Sequence, residues 1–412
     1  MDTDVKRVRL NINSEIGKLE SVLLHKPGKE LERLTPDLLE SLLFDDIPWL
    51  KDMAAEHDEF ADIMKSRGTE VYYVKELLTD ILEDEEIKSS FVDELIIFTK
   101  IRNERLKDAI KEAIMVKTPT EIAEISISGL EKSDIGNEHH DESLWDCVNK
   151  EFPFYINPVP NLYFTRDPGA VVADGLSINR MFTETRMRES WLYRWAYMNH
   201  PVFDGQERVL WYDYDLPYHI EGGDILVLSK EVVAIGCSQR TNSEAIEVIS
   251  QRLFESKESL KEILVIQIPP VRAFMHLDTV FTMVDYDKFT IYPGIEDTIK
   301  VYKLQRGAGG TLKVSAEDNL LDTMRKSLKL PAIDLIQSGG GEAIAAAREQ
   351  WNDSTNTLAI SPGVVVTYSR NERSNEILRK HGIEVLEIGG SELVRGRGGP
   401  RCMSCPLSRV DI

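Results

Sequence analysis

The tail Arg395-Gly396-Arg397-Gly398-Gly399-Pro400-Arg401-Cys402-Met403-Ser404-Cys405 holds two cysteines three positions apart, and three chemistries compete for them. A structural zinc ion needs about four ligands, and neither Cys147 nor Cys237 has a matching pair. A redox pair should open a long helix after a strand, and only seven residues follow Cys405. What remains is a nucleophile set against a buried, inert thiol. Glycines at 396, 398 and 399 permit close backbone approach to a ligand. Arg397 and Arg401 are expected to favour a thiolate at Cys402. These features place Cys402 ahead of Cys405, and ahead of Cys147 and Cys237 in their ordinary segments.

Three further segments set ionisable groups at the entrance to apolar runs: Asn161-Leu162-Tyr163-Phe164-Thr165-Arg166-Asp167-Pro168, Glu221-Gly222-Gly223-Asp224 and His276-Leu277-Asp278. In each, an acid leads straight into the run. If the segments are equivalent, Asp167, Asp224 and Asp278 hold related positions, and some of them converge. His276 and Asp278, two apart, would share one face of a strand. Such a pair can act as a general base with an orienting carboxylate; a satisfied structural pair is the plainer alternative. Gly339-Gly340-Gly341 lacks the Gly-Lys-Ser/Thr ending of a nucleotide loop and reads as a tight turn. His139-His140 reads as a solvated loop, and His25, His57, His200, His219 and His381 as structural.

The elements that must hold these groups recur along the chain. Short β-rich runs at Ser21–Leu24, Gly169–Val172, Asp224–Leu228, Thr279–Thr282 and Thr357–Ile360 are each followed by a turn. The later ones continue into a second strand and, in three cases, a helix, near Arg188–Met198, Ser243–Phe254 and from Ser374. About five strand-turn-strand-helix units result, and a closed ring of them would gather equivalent strand ends around one cleft. Residues 76–150 break this pattern. There, 19 acidic side chains stand against 9 basic ones, with one proline and two glycines. Apolar residues recur at helical spacing (Phe91, Leu95, Phe98; Leu106, Ile110, Ile114), which predicts short helices with an acidic solvated face.

Composition narrows the partners. The 412 residues carry 70 acidic and 49 basic side chains, a net charge of −21, so a phosphate backbone would be repelled and nucleic-acid binding is not expected. No run of about 18 apolar residues suggests a membrane span, and the first residues have no apolar signal core. Four cysteines suit a reducing cytosol, so a cytoplasmic location is expected.

Together these residues resemble the arginine deiminases, a family of guanidine-modifying enzymes. The resemblance rests on Asn161 through Pro168, the region of Arg186 and Arg188, Glu221 through Asp224, Arg240, Phe274 through Asp278, Arg348-Glu349-Gln350-Trp351, and the tail to Cys402. It implies an α/β fold, a five-bladed pseudo-symmetric α/β propeller of ββαβ units, with residues 1–75 and 151–412 forming the catalytic domain and 76–150 an inserted helical domain. It implies hydrolysis of L-arginine to L-citrulline and ammonia without metal or organic cofactor, in a homo-oligomer (dimer or tetramer). By position, Cys402 matches the nucleophile, His276 the acid/base, Asp167 and Asp278 the carboxylates that grip the guanidinium, and Glu221 the support of the histidine. Asn161, Phe164, Arg186 and Arg240 match substrate-binding residues, and Arg397 a mobile arginine that closes the site. Gly399-Pro400-Arg401 departs from the Gly-Gly-His form of some members, which puts thiol tuning in doubt. Arg188, two positions from Arg186, competes with it for the carboxylate. The alternatives are an agmatine deiminase, a methylarginine hydrolase, an amidinotransferase, or an arginine binder without catalysis.

Overall fold

Each β-rich run folds as one strand of an antiparallel pair whose partner gains a parallel neighbour after a crossover. The computed structural model describes residues 7–99, 101–135, 148, 152–296 and 298–412; Cys147 and His139-His140 lie outside the described residues. Gly169–Val172 pairs antiparallel with Gly175–Ile178, and helix Met187–Asn199 leads to Leu210–Tyr212, parallel to the second strand. Ile225–Ser229, Val232–Cys237, helix Ser243–Ser256 and Glu262–Gln267 repeat this order. So do Leu358–Ser361, Val364–Tyr368, helix Glu372–Lys380 and Glu384–Ile388. Phe281–Met283 and Lys288–Ile291 pair likewise, with Asp334–Gln337 parallel to the latter.

The remaining unit is assembled from distant parts of the chain. Leu19–Leu24 is antiparallel to Cys405–Arg409 and, across helix Leu50–Ser66, parallel to Glu70–Tyr73. The fold class is therefore α/β with mixed sheets. Strand interiors are apolar on both faces, as expected where helices and neighbouring sheets cover them: Val22, Ile178, Ala234, Ile235, Phe289 and Val366 are wholly buried.

One feature differs from the sequence expectation. The crossover of the fourth unit carries an additional hairpin, Lys300–Arg306 and Leu312–Glu317, which adds to the edge strand Glu262–Gln267 and makes the third sheet five-stranded. The helical segment begins at Val74, with helices Val74–Ile81, Glu85–Ile97, Glu104–Met115 and Pro119–Ser128. The last three start on side-chain caps from Asp84, Asn103 and Thr118. Their apolar faces join the core of the second sheet, with Phe91 packed 4.5 Å from Trp191, so the acidic face is the solvated one. No helix among the described residues is long and apolar enough to cross a membrane.

Candidate active site

The site residues come from one recurrent place, the turn that feeds the first strand of a unit. Asp167 precedes Gly169–Val172, Glu221 precedes Ile225–Ser229, His276 and Asp278 precede Phe281–Met283, and Cys402 precedes Cys405–Arg409. His276 and Asp278 do not share a strand face. His276 is extended (φ −134°, ψ 163°) and Asp278 belongs to the 3-10 turn Leu277–Thr279; the turn, not an alternating strand, carries both toward Cys402. Asp224, in the equivalent turn before Ile225, points elsewhere: its oxygens accept Leu277 N–H at 2.8 Å and Ser238 O–H at 2.7 Å.

A small, narrow cavity results. Of the ten expected site residues, Glu221 and Asp278 stand behind its wall and the other eight line it, with Leu43, Met275 and Gly396 completing it. Close packing at the tail needs glycine: a Cβ on Gly398 would lie 2.3 Å from the Phe164 ring. Cys402 Sγ lies 3.8 Å from Asp278 Oδ2. His276 Nε2 is 2.7 Å from Glu221 Oε2, and its Nδ1 is 3.7 Å from Asp167 Oδ1.

Each aspartate has one oxygen committed to a protein arginine. Arg186 Nη1 donates to Asp167 Oδ2 at 2.8 Å, and Arg401 Nη1 to Asp278 Oδ2 at 2.7 Å. Asp167 Oδ1 and Asp278 Oδ1 are buried without a hydrogen-bond partner among the described residues. Each aspartate thus keeps one oxygen free of a protein partner among the described residues.

The arginines divide by occupancy. Arg186 is fully engaged, by Asp167 and by a fork to Glu189 with contacts of 2.8–3.1 Å. Arg240 is the less occupied cation. Its Nε and Nη1 make no hydrogen bond among the described residues, Nη1 lies 3.7 Å from Glu221 Oε1, and the guanidinium rests 5.6 Å from the Phe182 ring. Arg188 faces away from the cavity, donating to the carbonyls of Ser126 and Asn157. Asn161 lines the wall while its amide donates to Leu42 O at 2.7 Å.

The amino-acid sequence matches the family model described as arginine deiminase over residues 40–409. A curated relative named arginine deiminase, from Bacillus thuringiensis subsp. konkukian, is 47% identical over 98% of this chain and 99% of its own. Another of that name, from Clostridium perfringens, is 47% identical over 98% of both. The chain belongs to the arginine deiminase family. An amidinotransferase from Microseira wollei has the same general fold, with a TM-score of 0.54 at 13% identity over 98% of each chain.

Electrostatics in this arginine deiminase family member centre on buried charge. Burial, then the carboxylates of Asp278, Asp167 and Asp353, pushes the Cys402 thiol well above its ordinary range. The influence expected of the two nearby arginines does not prevail. Arg401 opposes the shift and is outweighed, because its guanidinium is shared between Asp278 and Glu15, and Arg397 faces away toward Asp45 and Trp351. Burial disfavours the His276 cation, but Asp167 and Glu221 outweigh burial and carry it up to about 9. Burial likewise raises Glu221, yet Arg240, His276 and Arg186 hold it at about 2.

The imidazolium has a consequence for stability. Its pKa is raised from 6.5 to about 9 on folding, so its stabilisation is complete below the unfolded value and is lost as pH rises through the folded one. The difference in thermal midpoint between the unmodified chain and His276→Asn should shrink across that window. A constant difference would exclude a charged His276.

Asp167, Glu221 and His276 each bring a donor atom within 4.8 Å of the others, a spacing that could bridge a small cation. Arg186 Nη1 already lies 2.8 Å from Asp167 and 3.9 Å from Glu221, so positive charge occupies that position. The cavity mouth carries Arg397 in a left-handed conformation (φ 66°, ψ 70°). Its guanidinium stacks 3.5 Å over exposed Trp351, with Nη1 3.7 Å from Asp45 Oδ2. Asp45 also pairs with Arg272, which ties the two facing loops together.

Sequence reasoning missed Glu189, Glu15 and Asn356. Glu189 could have been found, since it stands three residues after Arg186 where opposite charges meet on a helix. Glu15 has no local signal, because Arg401 is 386 residues away.

Proposed function

We propose that this cavity hydrolyses L-arginine to L-citrulline and ammonia through an amidino-thioether on Cys402, in arginine catabolism. One observation carries the reading: two buried carboxylate oxygens have no hydrogen-bond partner among the described residues, Asp167 Oδ1 on the wall shared with Cys402 and His276, and Asp278 Oδ1 behind it on the carboxylate 3.8 Å from the sulfur. A guanidinium is a flat cation with N–H donors on several edges, and it suits two separated anionic acceptors. Each charge-assisted hydrogen bond is worth about 1.5–3 kcal/mol.

The steps follow from the charges. A thiol held neutral by nearby carboxylates becomes easier to ionise once a cation sits between them, so the substrate's own charge favours the thiolate, and the thiol proton passes to solvent as the substrate seats. The sulfur adds to the central carbon. The His276 imidazolium gives its proton to one amino group, which departs as ammonia and leaves a thiouronium and a neutral imidazole. Water then attacks that carbon while His276 takes its proton. Collapse breaks the C–S bond, returns the thiolate and forms the ureido group. The proton shed from oxygen leaves with ammonia as ammonium. Glu221, at 2.7 Å from Nε2, holds the neutral ring in place between the two halves of the reaction and favours its reprotonation.

Recognition of the other end of the substrate is assigned to Arg240, with Asn161 and Phe164 on the wall and Arg186 holding Asp167 in place. Arg397 would leave Trp351 to close over bound substrate. Agmatine lacks the carboxylate that Arg240 would hold, so its kcat/KM should fall by about 10–10²-fold relative to arginine. Equal turnover in a colorimetric ureido assay would remove Arg240 from that role. Ammonia release with arginine and no acceptor amine separates this reading from an amidinotransferase.

The same proposal arranges the sheets of the five repeated units as a propeller of five blades, supported by their strand order and by the origin of the site in equivalent turns. Residues 1–75 and 151–412 form its catalytic part and 76–150 the helical insert, supported by the change in composition. A cytoplasmic dimer or tetramer completes it.

A further inference from the structure

Asn356 lies in the buried run Asp353–Thr357 that precedes strand Leu358–Ser361, in the fifth of the equivalent turns. It does not line the cavity, and its own side chain is not ionisable. Three of its four polar groups nevertheless bond to residues around the reacting centre. The side-chain Oδ1 accepts the Cys402 backbone N–H at 2.9 Å. The side-chain amide donates to Asp278 O at 3.2 Å. The main-chain carbonyl accepts the Arg401 N–H at 3.3 Å. One side chain therefore bonds both to the residue bearing the sulfur and to the residue bearing a carboxylate 3.8 Å from it.

The surroundings hold that side chain still. Asn356 is wholly buried. Its own N–H is taken by Asp353 O at 2.9 Å. Gly399 packs so closely that a Cβ there would lie 2.6 Å from the Asn356 carbonyl oxygen. Gln350 reaches over the same run to Thr279 O at 2.6 Å, and Thr355 donates to the same carbonyl. The turn carrying His276 and Asp278 is thus gripped from the side opposite the cavity.

Resting on the reaction proposed above, we propose that Asn356 is a positioning residue that sets the distance between the Cys402 sulfur and the Asp278 carboxylate, and with it the alignment of attack on the bound guanidinium carbon. Asparagine suits the task because it offers an acceptor and a donor on one planar group. Aspartate has the same shape but only acceptors, and alanine has neither. Misplacement of reacting groups by about 1 Å costs about 10²-fold in rate. Since Asn356 is not in the cavity wall, its loss should fall on the chemical step and leave substrate binding nearly unchanged.

The test uses the full chain with Asn356→Ala and Asn356→Asp, both checked for a cooperative thermal transition. Steady-state kinetics with arginine are paired with acid-quenched single turnovers that measure the amidino-thioether by intact mass. Alkylation by iodoacetamide against pH reports the thiol itself. Asn356→Ala should lower kcat and the rate of thioether formation by about 10²-fold, with KM within about threefold. Asn356→Asp keeps the acceptor for Cys402 N–H, loses the donor to Asp278 and adds an anion, so it should also slow thioether formation and shift the alkylation profile to higher pH. Unchanged thioether formation in Asn356→Ala, or a rise in KM with kcat intact, would overturn the assignment. Should Asn356→Ala fail to fold, Asn356→Asp decides, and wild-type kinetics with an unshifted profile there would also overturn it. Absence of citrulline from the unmodified chain would instead defeat the reaction on which it rests.

Discussion

Cys402→Ala should form no measurable citrulline, a loss of about 10⁴-fold or more, as when a covalent nucleophile is removed. Cys405→Ala should stay within about tenfold of the unmodified chain. The two sulfurs are three residues apart, but their surroundings separate them. Cys402 Sγ faces Asp278 at 3.8 Å on the cavity wall. Cys405 begins a strand, is wholly buried, and donates to Gly169 O at 3.2 Å. Burial alone raises its thiol to about 11, with Arg166 pulling weakly the other way, and nothing in that setting recruits a substrate. Citrulline assays on both variants, with thermal transitions as the control for folding, check the pair. Activity in Cys402→Ala would move the nucleophile elsewhere.

Asp278→Asn should move two observables in opposite directions. Citrulline formation should fall by about 10³-fold, since a charge-assisted contact is lost and the guanidinium is less firmly oriented. Alkylation of Cys402 by iodoacetamide near neutral pH should become faster. Asp278 is the foremost charged group raising that thiol, and removing its charge also frees part of the Arg401 guanidinium. A general unfolding would not produce this pattern together with an intact cooperative transition. Activity retained within about tenfold would show that Asp278 does not hold the substrate's charge. Asp167→Asn should also lose activity heavily, but with a smaller effect on the thiol, whose shift owes less to Asp167.

Much of the fold was legible because its signals are local. Runs such as Ile225–Leu228 and Val232–Ile235 are apolar and β-branched, with turn residues between them, and strands formed there. The hairpin Lys300–Glu317 was overlooked, as its strands are half polar and lie at a sheet edge. At the site, the residues that carry chemistry were legible by type, whereas their supporters were not. Arg401 looked like a charge for the adjacent thiol; its partner Glu15 is too distant in sequence for a reader to see that the charge is already spent. Asn356 sits in an ordinary polar stretch, and only tertiary contact distinguishes it. The thiol state was not legible for the same reason, because sequence proximity shows two arginines while packing places three carboxylates.

The seam between Leu19–Leu24 and Cys405–Arg409 bears on how the molecule acquires its reactivity. Ser21 and Ser408, 387 positions apart, meet there through their hydroxyls. Contacts of such separation are entropically expensive and tend to form late in folding. The sulfur lies three residues ahead of that seam, so a chain that has not yet sealed it carries an unassembled cysteine. Competence to react would then arrive with the last long-range closure, and half-folded copies would be inert toward their substrate.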